Sequence, residues 1–203
     1  MATKRPTLLV FLHGVGDSAA GVEDVARAIV QGLPDVEVVV PDGFHPFDGG
    51  FGGRQWFSLT GVTEENRPAR VRAAADEVSR YADAELGHRG WPRERVVFAG
   101  FSQGAMVAAW LAVHRKPAPV AGVVLSGRYS DDSSPARLVS TPIFVAHGAQ
   151  DPRIPVAVVE PSVRALEAWG ARVSSRVYPD LGHQISGREV QDARAFLADV
   201  LRA

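Results

Sequence analysis

A serine flanked by glycines stands where a strand pattern changes into a helix pattern. The apolar, β-branched run 96–99 is typical of a buried strand, and it leads into a Gly-Phe-Ser-Gln-Gly motif at residues 100–104. The run 105–112 that follows consists mostly of good helix formers. A sharp strand-to-helix turn can present a serine hydroxyl as a nucleophile, and the helix N-terminus stabilises negative charge that develops beside it. Ser102 is therefore a candidate nucleophile.

A serine hydroxyl is a weak nucleophile unless a base and a residue that orients the base lie beside it. Asp151 and His183 each follow a predicted strand, and with Ser102 they give the order serine, acid, histidine along the chain. That order is the one expected of an α/β-hydrolase. In this interpretation Ser102 attacks an acyl carbon, His183 removes and later returns the proton, and Asp151 fixes the imidazole tautomer.

Other interpretations exist for each of these residues taken alone. His183 could be a surface turn residue, and Asp151 could be a turn former because a proline follows it. Asp180 is a rival for the acid, but it lies on the same predicted loop as the histidine. The common placement of the three residues after strands favours Ser102, Asp151 and His183.

An oxyanion formed during acyl transfer needs main-chain N–H donors. The rule for this turn assigns one donor to the residue after the nucleophile, Gln103, and the other to the loop after the first strand. That loop is His-Gly-Val-Gly-Asp at residues 13–17, and Val15 is our choice within it. Because the donors belong to the main chain, we expect side-chain replacements at Val15 or Gln103 to have little effect.

Predicted strands alternate with predicted helices along the chain, and most of the strands are apolar throughout. This pattern predicts an α/β fold with a mostly parallel central sheet of about six to seven strands and helices on both faces. We expect a single domain over residues 1–203 without a large cap domain. In such sheets the chemistry lies at the carboxyl ends of the strands, where the candidate residues are found.

The segment 43–62 is long, irregular, and rich in glycine and aromatic residues. It could be a surface loop held in place by its aromatic side chains. It could instead be a wall or lid over a substrate pocket, because long ordered loops are often functional. For the second case we expect an apolar wall for an acyl group, formed by Phe44, Phe47, Phe51, Trp56, Phe57 and, from another loop, Ile154.

Composition restricts the other function classes. The chain has 203 residues, of which 46% are hydrophobic and 22% charged, with a net charge of −1 and no cysteine. Near-neutral charge favours neither nucleic acid nor an anionic membrane surface as a partner, and no run is long enough for membrane insertion. The polar N-terminus leads us to expect a cytoplasmic protein, present as a monomer or homodimer. The histidines show no metal-ligand spacing, and we interpret His13 and His147 as structural hydrogen-bonding residues.

Four motifs resemble those of the phospholipase/carboxylesterase family, which includes the acyl-protein thioesterases of the α/β-hydrolase superfamily. They comprise residues 12–17, 100–104 and 147–151 and the Gly-His pair at 182–183, and the resemblance extends over nearly the whole chain. Segments 53–59 and 63–66 look most like a bacterial esterase subgroup. The resemblance implies the same triad, the amides of Val15 and Gln103 as oxyanion hole, and no metal or organic cofactor.

Together these observations predict a serine hydrolase that cleaves small to medium acyl esters, with thioesters as further candidate substrates. One alternative is a non-catalytic binding protein with the same fold, since a fold does not prove an activity. Another is a lactone or dienelactone hydrolase; the absence of cysteine excludes the version with a cysteine nucleophile.

Overall fold

The computed structural model describes residues 6–131, 133 and 138–202, so most of the polar N-terminus lies outside the described residues. Strands and helices alternate along the chain, as the sequence predicts. The elements are β1 (Thr7–Leu12), α1 (Ala19–Val30), β2 (Val36–Val39), β3 (His45–Pro46), β4 (Arg54–Gln55), α2 (Arg67–Arg89), β5 (Val96–Phe101), α3 (Gln103–His114), β6 (Ala121–Leu125), β7 (Pro142–Gly148), α4 (Val159–Ala168), β8 (Arg172–Tyr178) and α5 (Gly187–Arg202).

Six strands form one sheet in the order β2-β1-β5-β6-β7-β8, and every neighbouring pair is parallel. Alternate residues of β1 face opposite sides of this sheet. Leu9 and Phe11 pack with α1 and α5, whereas Leu8 and Val10 pack with α2 and α3. Because both faces are covered by helices, the inner strands are apolar throughout rather than alternating. The predicted fold class is confirmed.

The more polar strand β8 lies at one edge of this sheet, where it pairs with β7. The start of α5 forms a capping box. There the Glu189 carboxylate accepts a hydrogen bond from the Ser186 amide at 2.7 Å, and the Ser186 hydroxyl accepts one from the Glu189 amide at 3.2 Å. Burial raises the pKa of the Glu189 carboxyl, although the hydrogen bonds from Ser186 oppose this.

Helix α2 ends at Arg89, where Gly90 adopts a left-handed conformation with φ of 66°. One local prediction needs correction. The segment 43–62 is not wholly irregular, since β3 and β4 pair within it as a short antiparallel ribbon.

Candidate active site

Ser102 occupies a strained turn between β5 and α3. Its φ of 53° lies in the left-handed region, which is unfavourable for a residue with a side chain. The turn requires glycine on both sides. A Cβ atom at Gly100 would lie 2.5 Å from the carbonyl carbon of Gly104, and one at Gly104 would lie 2.2 Å from the carbonyl oxygen of Leu12. The flanking glycines therefore allow β5, the turn and β1 to approach each other closely.

The structure brings Ser102, His183 and Asp151 together at the carboxyl ends of β5, β8 and β7. His183 Nε2 lies 2.9 Å from Ser102 Oγ, and His183 Nδ1 lies 2.6 Å from Asp151 Oδ2. The Phe101 ring lies beside the imidazole, with 4.9 Å between the ring centroids. All three side chains thus form one continuous hydrogen-bonded chain.

The surroundings of Asp151 determine which nitrogen of the imidazole carries the proton. Burial of the Asp151 carboxyl opposes ionisation, but hydrogen bonds from the Ile154 amide, from His183 and from the Arg153 amide lower its pKa. An ionised carboxylate can only accept, so His183 Nδ1 must donate to it. Nε2 of the neutral ring is then free to accept the Ser102 hydroxyl proton.

The loops that carry Asp151 and His183 are joined through their main chains. The Ala149 amide donates to the Tyr178 carbonyl at 2.8 Å, and the Gln150 amide donates to the Leu181 carbonyl at 2.9 Å. Close packing at Gly148 allows this, because a Cβ atom there would lie 2.2 Å from the Leu181 carbonyl oxygen. The distance between acid and histidine is therefore set by the ends of two adjacent strands.

The rival acid, His13 and His147 do not belong to the hydrogen-bonded chain, although His147 Nε2 lies 3.4 Å from Asp151 Oδ2. Asp180 is exposed, and within the described residues it makes no hydrogen bond to His183. His13 and His147 are structural hydrogen-bonding residues, as expected. His13 Nε2 accepts from the Gly43 amide at 2.8 Å, and His147 Nε2 donates to the Ile154 carbonyl at 2.8 Å, which supports the loop that binds Asp151.

Val15 and Gln103 line the same cavity as Ser102, and no hydrogen bond within the described part of the chain uses either main-chain amide. The loop that carries Val15 is fixed by the neighbouring ribbon. The Gly16 amide donates to the Arg54 carbonyl at 2.8 Å, and the Arg54 amide donates to the Asp17 carbonyl at 2.9 Å. Two N–H groups that are not otherwise used therefore border the cavity from a fixed loop and a helix N-terminus.

The side chain of Gln103 has a function that the sequence did not indicate. It is only 2% exposed, accepts a hydrogen bond from the Trp56 amide at 2.8 Å, and donates one to the Phe57 carbonyl at 2.7 Å. The expectation that its replacement has little effect is not supported, because this amide group fixes the aromatic segment against the nucleophile turn. A glutamine at this position gives no sequence signal for such a distant contact.

The cavity at Ser102 has a volume of about 750 Å³. Three of the six expected apolar contacts line it, namely Phe47, Phe57 and Ile154, and the sequence missed several others: Leu59, Val62, Phe101, Met106 and Pro155.

The other three expected contacts lie away from this cavity, and the prediction needs correction for them. Trp56 is buried beneath the segment, where its indole N–H donates to the His13 carbonyl at 2.8 Å. Phe44 packs edge-on against Trp56, with 5.5 Å between ring centroids. Phe51 is fully exposed, because the turn around it carries residues with positive φ.

No group of three or more histidine and acidic side chains among the described residues could hold a metal ion. Across the same residues, every helix is too short or too polar to cross a membrane.

Comparison with known proteins agrees with this geometry. A sequence profile described as phospholipase/carboxylesterase matches residues 2–201. This chain belongs to the phospholipase/carboxylesterase family. One relative is the esterase YpfH of Escherichia coli, 34% identical over 199 residues that cover 96% of this chain and 82% of that protein. Another is acyl-protein thioesterase 1 of Mycosarcoma maydis, 31% identical over 229 residues that cover 98% and 93%.

Solved structures share the fold. The crystal structure of esterase PE8 superposes with a TM-score of 0.85 at 23% identity, covering 97% of this chain and 93% of that chain. The Bacillus cereus carboxylesterase gives a TM-score of 0.82 at 23% identity, covering 98% and 90%. Both the fold class and the suspected family are confirmed, and the family member described here is a carboxylic ester hydrolase of the carboxylesterase and thioesterase type. A non-catalytic binding protein is not supported.

Proposed function

We propose that this chain hydrolyses small to medium carboxylic esters, and thioesters of the same acyl groups, through an acyl-enzyme intermediate on Ser102. The observation that carries the proposal is the hydrogen-bonded chain from Ser102 Oγ through His183 to Asp151, with heavy-atom distances of 2.9 and 2.6 Å. These are the distances that general-base activation of a hydroxyl requires.

The proposed reaction has two halves. Ser102 Oγ attacks the acyl carbon while its proton passes to His183 Nε2, and the carbonyl oxygen becomes an oxyanion bound by the amides of Val15 and Gln103. The intermediate collapses, and the leaving alkoxide or thiolate takes the proton from His183. Water then attacks the acyl-serine, again losing a proton to His183, and the carboxylic acid departs as Ser102 recovers its proton. Asp151 stays ionised and stabilises the imidazolium.

The acyl group would lie against Phe47, Phe57 and Ile154, which supply apolar surface in the cavity beside Ser102. A volume of about 750 Å³ is large enough for a small-molecule ester and lies within the usual range for ligand pockets. The proposed steps use only side chains and main-chain amides of this chain and need no metal or organic cofactor.

A covalent probe combined with turnover tests the proposal. The protein should gain one fluorophosphonate adduct, located on Ser102 by peptide mass spectrometry, and should hydrolyse 4-nitrophenyl butyrate. Ser102→Ala should lose both properties while keeping its circular dichroism spectrum. Ser174→Ala is the matched control, because Ser174 is exposed on the edge strand β8, and it should keep both. Turnover by Ser102→Ala near the wild-type rate would refute the assignment.

A panel of 4-nitrophenyl esters from acetate to palmitate, with matched thioesters, would define the acyl preference. We expect kcat/KM to be highest for short and medium chains. A lactone substrate belongs in the same panel, and a marked preference for it would favour the lactone hydrolase alternative.

A further inference from the structure

The cavity at Ser102 is lined by more cationic than anionic side chains. Three arginines line it, Arg67, Arg128 and Arg153, against two carboxylates, Asp17 and Glu64. The Asp17 carboxylate is occupied locally, since it accepts a hydrogen bond from the Ser18 amide at 2.8 Å. Cations therefore outnumber anions at a pocket that also offers apolar surface.

Two of these arginines converge on one carboxylate. Arg67 lies 2.6 Å from Glu64 Oε1, and Arg128 lies 2.8 and 2.7 Å from the two oxygens of Glu64. The side chains of Arg67 and Arg128 are only 15% and 18% exposed, whereas that of Glu64 is 75% exposed. The cations are thus held in the wall, and the anion that joins them lies in solvent.

An exposed carboxylate is a weak competitor for such a site. Water solvates the exposed Glu64 carboxylate well, and ordering its long side chain costs entropy, so part of the gain from its ion pairs is offset. A substrate carboxylate delivered by binding in the apolar part of the cavity could therefore replace Glu64 on Arg128 and Arg67. Guanidinium groups match a carboxylate with two parallel hydrogen bonds, which gives direction as well as attraction.

Two of the arginines, Arg128 and Arg153, also lie next to the catalytic framework. Arg128 follows Gly127, where a Cβ atom would lie 3.3 Å from the Ser102 carbonyl oxygen. The Arg153 amide donates to Asp151 at 2.8 Å, and its guanidinium makes no hydrogen bond or ion pair within the described part of the chain. The main chain of each thus lies close to a member of the candidate triad.

We propose that this cavity selects esters that carry a carboxylate. The carboxylate binds Arg128 and Arg67 in place of Glu64, and Arg153 adds a further positive charge to the same cavity. This selection rests on the proposed function, because it concerns the substrate of the same serine. Neutral esters remain substrates through the apolar surface alone.

Matched ester pairs test the proposal. One arm uses mono-4-nitrophenyl esters of succinic to suberic acid against their methyl-capped neutral forms, which places the carboxylate on the acyl side. The other compares 3-carboxy-4-nitrophenyl butyrate with 4-nitrophenyl butyrate, which places it on the leaving group. We expect at least one carboxylated ester to have a higher kcat/KM than its neutral partner. The difference should lie in KM, and added salt should weaken the preference.

Variants then identify the groups responsible. In Arg128→Gln the ratio of kcat/KM between carboxylated and neutral ester should fall by about tenfold or more, as expected for loss of a charged hydrogen bond. Glu64→Gln should raise the same ratio, because it removes the competing carboxylate. Arg164→Gln is the control, since Arg164 is exposed and pairs with Glu160 on α4, and it should leave the ratio unchanged.

Two results would overturn the proposal: a ratio at or below one for every carboxylated ester, or a ratio that Arg128→Gln and Glu64→Gln leave unchanged. Neither would affect the proposed function, because turnover of the neutral esters and the adduct on Ser102 report on that separately.

Discussion

Replacing Gln103 by alanine separates two functions that one residue combines. The main-chain amide that we assign to the oxyanion hole remains, but the side-chain amide is lost. The Trp56 N–H and the Phe57 carbonyl, which now bond to it at 2.8 and 2.7 Å, are left without partners in a buried region.

The expected loss of stability follows from these two bonds. A buried polar group deprived of its partner costs about 1–3 kcal/mol, so two such groups cost about 2–6 kcal/mol. In a domain of this size each kcal/mol corresponds to about 2–4 °C in Tm. We therefore expect Gln103→Ala to lower Tm by at least about 4 °C. A thermal melt followed by circular dichroism measures this directly.

The effect on activity should depend on the acyl chain. Phe57 lines the cavity and its carbonyl is held by Gln103, so the variant should raise KM for medium-chain esters more than for acetate. Gln103→Met, which keeps the side-chain length without the amide, should behave in the same way. Gln191→Ala on the exposed face of α5 is the control.

A Gln103→Ala protein with the Tm and the chain-length profile of the control would refute this reasoning. It would mean that the aromatic segment is held by its apolar packing alone. Replacing the Gln103 side chain would then have little effect, which is what we expect from the sequence because the proposed oxyanion donor is the main-chain amide.

Three further predictions concern the acid, the nucleophile turn and α5. Asp151→Asn should lower kcat by about 10⁴-fold through loss of the imidazole tautomer, whereas Asp180→Asn should change it little; the reverse result would reassign the acid. Gly104→Ala should destabilise the fold and abolish turnover, since the added carbon would lie 2.2 Å from the Leu12 carbonyl oxygen; a wild-type melting curve would contradict this. The pKa of the Glu189 carboxyl is higher in the folded state than in the unfolded state, where it is about 4.3. The stability that this group contributes is therefore lost as the pH rises from about 4.3 towards the folded-state pKa. Between pH 4 and pH 8 the Tm of Glu189→Gln should rise relative to that of wild type, and a Tm difference that stays constant would refute this.

The framework of the site could be predicted from the sequence because it depends on local patterns. A buried parallel strand is apolar along its whole length, so β1, β5, β6 and β7 could be located without knowledge of the fold. Parallel strands also place their carboxyl ends at one edge of the sheet. Residues as distant in sequence as Ser102 and His183 could therefore be expected to meet there.

The orientation of the aromatic side chains could not be predicted in the same way. Segment 43–62 has no regular period, and its path depends on residues with positive φ, including Gly50, Phe51 and Gly52. Phe47 lines the cavity while Phe51 is exposed to solvent, and no period in the segment indicates which of the two would do so. The partners of Gln103 lie 46 and 47 residues away, a separation at which sequence pattern carries no information about contact.

These contacts favour a fixed wall over a mobile lid as the function of the segment. It holds the Val15 loop through two main-chain hydrogen bonds between Arg54 and residues 16–17, and it holds the nucleophile turn through Gln103. The indole of Trp56 adds a third attachment, to the His13 carbonyl. Opening the segment as a lid would break all of these bonds and would release the Val15 loop and the Gln103 side chain at once. Main-chain N–H donors stabilise an oxyanion effectively because they are in position before the charge develops. We therefore infer that the segment supports catalysis as a fixed wall that keeps the Val15 loop in position.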